Sequence, residues 1–209
     1  MVVLGNVWDE PAAAVTPMPA DQVVFGFPGA GGGFGQDGVL RGAVTRSVTL
    51  AAPTSPSDRR GLEARAAFRQ AGFAVRDERD MRGWLLLHFV LDAGMFAQAS
   101  HTGGLMNMVG DRRALREAFL TSRELLPIVE ARDVDLSRHR AAAMPTRLPG
   151  ATGAALALAT VLVPMARASL AAHDDPQAAE PRAVLEDTAR AARVLGIATP
   201  RLDRAVLEH

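Results

Sequence analysis

Between Met81 and Ser100 the chain reads MRGWLLLHFVLDAGMFAQAS. A helix of this sequence is apolar nearly all round, and such a helix must be covered on every side, as at the centre of a bundle. Asp80 stands where an N-cap is needed. More helical sequence follows: DRRALREAFLTSRELLPIVE at about 111–130, a long apolar stretch at 151–166, and a segment from Asp187 to Leu195 stopped by Gly196 with Pro200 just beyond. A short helix closes the chain. Residues 80–209 therefore read as an all-α domain. Sixteen residues at 151–166 rise only about 24 Å, short of a hydrocarbon core of ~30 Å. A buried helix, not a membrane span, is expected there.

Residues 1–79 have a different character. VVLG at 2–5 reads as the end of a buried strand that stops at Asn6. Gly33, Gly35 and Gly38 spell a literal GxGxxG, the pattern that cradles a dinucleotide diphosphate when a helix opens directly after it. Here Val39, Leu40, Val44, Thr45, Val48 and Thr49 follow, a β-branched run without helical period. That predicts two strands over 21–52 joined by a glycine-rich turn. Ser57 or Asp58 then caps a helix with an apolar stripe at Leu62, Ala66 and Phe68, ending at Gly72. FAVRDERD reads as a short strand. The result is an α/β piece with too few strands for a complete doubly wound sheet.

Composition removes several classes of chemistry. The chain has no cysteine, so disulfides, thiolate metal sites and cysteine nucleophiles are excluded. All 23 residues counted as Lys+Arg are arginine, so no lysine serves a phosphate loop, a Schiff base or a general acid. Net charge is zero and no long charge run occurs, which argues against nucleic acid as a partner. The start MVVLGNVWDE lacks the basic region of a signal peptide, and a cytoplasmic protein is expected.

His88 and Asp92 are four residues apart on the oily helix and share a face. Either they are a core histidine and the carboxylate that satisfies it, or the carboxylate orients an imidazole that moves a proton. Spacing leaves both open. His101 lies at a helix end, His139 in an arginine-rich loop, and His173 before Asp174 and Asp175, a loop with no closed ligand set. No metal is expected.

The ordered set VVLGN, ADQVVFGFPGAGGGFGQDGVL, LEARAAFRQAGFAVRDERDMRGWLLLHFVLDAG and ARAARVLGIATP resembles the ketopantoate reductase family over essentially the whole chain. The resemblance implies the back half of a Rossmann-like nucleotide-binding domain over 1–79, then a helical C-terminal domain over 80–209. The family's opening βαβ unit, with its phosphate loop, would lie before Met1. The activity implied is NADPH-dependent reduction of a 2-oxo acid such as 2-dehydropantoate. The family's catalytic lysine falls on His88, the asparagine four residues later on Asp92, and the asparagine beside the nicotinamide on Asn6. Its active-site glutamate falls on Glu180, and its substrate serine lies one position from Ser169. Asp92 is expected to raise the pKa of His88 and so restore a cationic donor where the lysine stood. A homodimer is suggested by the apolar helical domain. The other reading is a non-catalytic relative that keeps the helical domain for dimerisation or ligand binding.

Overall fold

The computed structural model describes residues 1–34, 38–55, 57–174 and 179–207. Its elements alternate at first and then become helical: strand β1 (Val2–Leu4), helix α1 (Pro11–Ala14), strands β2 (Val24–Phe34) and β3 (Leu40–Ala51), helix α2 (Arg59–Gln70) and strand β4 (Ala74–Glu78). There follow helices α3 (Met81–Thr102), α4 (Arg112–Glu130), α5 (Met144–Arg147), α6 (Pro149–Leu162), α7 (Pro164–Ala171), α8 (Ala179–Leu195) and α9 (Pro200–Leu207). The chain is thus an α/β mix. It forms two compact units, one of residues 1–30 and 44–86, the other of residues 31–43 and 87–209.

In the first unit the sheet runs β1-β2-β3-β4. β1 pairs with β2 in parallel, Val2 opposite Val24, and β3 pairs with β4 in parallel, Ser47 opposite Ala74. Between them β2 and β3 run antiparallel: Gly26 lies against Leu50 and Thr49, and Gly29 against Thr45 and Ser47. The sheet is therefore mixed. A Cβ on Gly26 would stand 2.6 Å from Leu50 Cδ2 and 3.0 Å from Leu4 Cδ2, so the bare backbone of β2 makes room for its neighbours' leucines. Gly33 lies near the end of β2 and Gly38 just before β3, neither at the start of a helix, and Gly35 lies outside the described residues.

The capping carboxylates are where the sequence puts them. Asp58 Oδ1 accepts from the Gly61 N–H at 2.9 Å, and Asp80 Oδ1 from the Gly83 N–H at 2.9 Å. The stripe expected on α2 is on the wrong side. Leu62 and Ala66 are exposed, and the buried residues are Gly61 and Arg65. The Arg65 guanidinium reaches Asp77 Oδ1 at 2.5 Å, the Gly61 carbonyl at 2.6 Å and the Ala51 carbonyl, joining α2 to the ends of β3 and β4. A guanidinium can be buried here because each of its three nitrogens donates to a fixed acceptor.

In the second unit α4 touches α5, α6, α8 and α9. Leu115, Ala118, Leu125, Ile128 and Val129 form its buried face. Asp111 caps it through the Arg113 and Ala114 N–H groups at 2.8 and 2.9 Å. Gly153 of α6 lies on the backbone of Arg116, where a Cβ would meet the amide nitrogen at 2.8 Å. The α9 N–H groups of Arg201 and Leu202 donate to Glu124 Oε1 of α4. The stretch at 151–166 differs from the single buried helix expected. It breaks at Val163, and Pro164 opens α7 at 101° to α6. Only Gly153, Ala157 and Thr160 of α6 are buried, while Leu158, Val161 and Leu162 are exposed. No single helix among the described residues is long and apolar enough to cross a membrane.

Candidate functional site

The centre of α3 is closed off on most sides. Leu87, Phe89, Val90, Ala93, Phe96 and Ala97 are all buried. His88, Leu91, Asp92 and Met95 are half-buried and line one stripe of the helix, three and four residues apart. The polar pair thus occupies the one face of α3 with access to solvent. His88 Nε2 stands 3.5 Å from Asp92 Oδ2, with the two side chains 29 and 24 % exposed. The imidazole is therefore not sealed in a core.

A second histidine acts on His88 through its charge. His173, two residues beyond α7, has Nδ1 at 2.8 Å from the Ser169 carbonyl oxygen. A carbonyl only accepts, so Nδ1 carries the hydrogen and Nε2 of the neutral ring is left as an acceptor. The ring rests on Gly31 of the glycine-rich strand, where a Cβ would meet Cε1 at 2.3 Å. The next residue anchors the segment: Asp174 Oδ1 accepts from the Leu105 N–H at 3.2 Å, in the turn that follows α3. That turn uses Gly103 and Gly104 at φ 76° and 137°, conformations open to glycine.

The electrostatics invert one expectation. Asp92 was expected to raise the pKa of His88. Instead burial pushes the imidazole down from 6.5 to about 4, and the charge of His173 acts in the same direction. The contact to Asp92 is long, and removal of water from the ring outweighs it. His88 is neutral at pH 7. A carboxylate likewise only accepts, so the contact favours hydrogen on Nε2.

The remaining expected site residues lie elsewhere. Glu180 is exposed in the first turn of α8, where a carboxylate suits the helix dipole, and among the described residues it bonds to neither His88 nor Asp92. Asn6 follows β1 in the first unit, half-buried, with its side-chain oxygen shielded from solvent. His139, assigned to a loop, is buried. Among the described residues no set of three histidine or acidic side chains is placed to hold a metal. Sequence reading set His173 aside as a solvated loop. Its four-residue spacing from Ser169 was the available signal, whereas its packing on Gly31 is purely tertiary.

Among the described residues the glycine-rich segment runs from one strand to the next, not from a strand into a helix, which is the arrangement that seats a dinucleotide diphosphate. What they define is an α/β protein with a histidine–carboxylate pair at the open face of a buried helix, with the charge of a second histidine, His173, acting on the imidazole. No protein-family model and no curated protein sequence matches this chain.

Proposed function

We propose that the chain is a ketopantoate-reductase-like oxidoreductase acting on a 2-oxo acid, with NADPH as reductant and with His88 and Asp92 as its proton-handling pair. The half-exposed His88–Asp92 contact at 3.5 Å on an otherwise buried helix carries this reading. The order of elements, an α/β mix first and helices after it, supports this reading, in which 1–79 is the back half of a Rossmann-like domain and 80–209 the helical C-terminal domain. Asn6 is the proposed nicotinamide neighbour and Glu180 the proposed active-site acid.

The chemistry differs from that of a lysine. A neutral imidazole of pKa about 4 is a poor proton source at pH 7. A 2-oxo acid brings its own carboxylate, and a second negative charge beside Asp92 favours protonation of the ring. The imidazolium then hydrogen-bonds the keto oxygen and gives it the proton as the alcohol forms. The lack of a diphosphate seat among the described residues favours a second reading, a non-catalytic helical domain that binds a ligand or dimerises.

The deciding experiment follows NADPH oxidation with 2-dehydropantoate and titrates the chain with NADPH by nicotinamide fluorescence. The proposal expects binding and turnover, abolished by His88→Ala and preserved or improved by His88→Lys combined with Asp92→Asn. Absence of binding at millimolar cofactor, or unchanged activity in the alanine variant, supports the second reading.

A further inference from the structure

From Leu148 to Ala166 the chain carries no charged side chain, and from Met144 to Ala171 no aromatic one. The inner face of this segment, Gly153, Ala157 and Thr160, is occupied by packing: Gly153 on the backbone of α4, and Thr160 as acceptor for the Gly110 N–H at 3.1 Å. Its outer face is open. Leu148, Leu158, Val161, Leu162, Val163 and Met165 are each 44 to 66 % exposed. Exposed Ala151 and Ala155 fill the steps between Leu148 and Leu158, so the stripe is continuous along α6 and turns the corner into α7.

We propose that this face, α6 with the start of α7, is the contact surface between two copies of the chain. Six large apolar side chains, each at least 44 % exposed, stand together in one patch, and a contiguous apolar patch beyond a few hundred Å² on a protein surface marks an interaction site. A two-fold contact places the same patch on both partners. A surface without charge meets its own copy with no like charges opposed, and core positions of interfaces are depleted in charge. A membrane surface fits less well. Helices lying in the interface pair an apolar face with a cationic one and carry aromatic anchors. Here the opposite face is packed against protein, and the segment has no aromatic residue.

Sedimentation equilibrium tests this directly. The wild-type chain is expected at twice 22.1 kDa at micromolar concentration, and Leu158→Asp combined with Leu162→Asp at 22.1 kDa. Val194→Asp, at an exposed apolar position on α8, is expected to stay dimeric. Because the chain has no cysteine, single variants Leu158→Cys, Leu162→Cys and Val194→Cys give an independent reading that does not depend on the double variant folding. Oxidation is expected to give covalent dimers from one or both of the α6 positions and none from Val194. A monomeric wild type overturns the proposal, whether or not it floats with phosphatidylcholine vesicles; flotation would assign the face to lipid. A double-aspartate variant that remains dimeric, or cross-linking at Val194 alone, overturns it equally.

Discussion

His88 is neutral because its ring has lost water on most sides, and this has a measurable consequence for folding. Its pKa in the folded chain, about 4, lies below the ordinary 6.5. As pH falls through 6.5 the unfolded chain takes up the proton first, so this contribution to stability is complete above pH 6.5 and is lost progressively towards pH 4. The shift corresponds to about 3 kcal/mol, and to about 2 kcal/mol once the remaining solvent access of the ring is discounted. Urea unfolding at pH 7 and pH 4.5 is expected to show wild type losing about 2 kcal/mol more than His88→Gln over that interval. Equal losses would mean that the ring is as well solvated folded as unfolded. The residue itself was legible in the sequence as one of two polar groups on an oily helix. Its charge state was not, since that depends on what covers the ring and on His173, which arrives from 85 positions away.

At the scale of elements, the helix boundaries follow from local signals. Asp58, Asp80 and Asp111 cap α2, α3 and α4, and Gly196 takes φ 66° immediately after α8. Faces are harder to read. On α2 the apolar stripe at Leu62 and Ala66 is exposed, and Arg65 is the side chain that docks the helix on the sheet. Periodicity ranks residues by hydropathy and so misses an arginine whose three guanidinium nitrogens each donate a hydrogen bond. Arg65→Lys keeps the charge but cannot span Asp77, the Gly61 carbonyl and the Ala51 carbonyl together. It is expected to lower the urea unfolding free energy by about 2–3 kcal/mol, through buried acceptors left unmatched. A loss below about 0.5 kcal/mol would show that the fork does not hold α2 in place. The break at Val163 has the same lesson in reverse: Pro164 was visible, but only the packing of Gly153 and Thr160 leaves the leucines of α6 outside.

The whole molecule has no net charge and a pI near 7. Near that pH nothing holds copies apart by charge, and the apolar face on α6 adds to their attraction. Solubility measured by polyethylene glycol precipitation is expected to pass through a minimum close to pH 7 and to rise on either side. The Leu158→Asp, Leu162→Asp variant is expected to shift that minimum to lower pH and to precipitate at higher polymer concentration. A flat profile would mean that net charge does not govern association of this chain. The mixed sheet belongs to this scale as well. Each strand is visible in its own residues, yet the antiparallel pairing of β2 with β3 between two parallel pairs depends on which glycine lies under which leucine.

The sequence by itself determined the exclusions and the inventory: no thiol or lysine chemistry, an α/β piece before Asp80 and helices after it, caps at Asp80 and at Ser57 or Asp58, and a polar pair on an oily helix. Those are properties of composition and of spacing along one chain, where neighbours are known in advance. The tertiary structure decided that Arg65 is inside and Leu158 outside, that His173 rests on Gly31, and that the His88 imidazole is uncharged. Each of these depends on which distant groups remove water from a given atom, and solvation of that kind is a property of the folded surroundings rather than of any local run of residues.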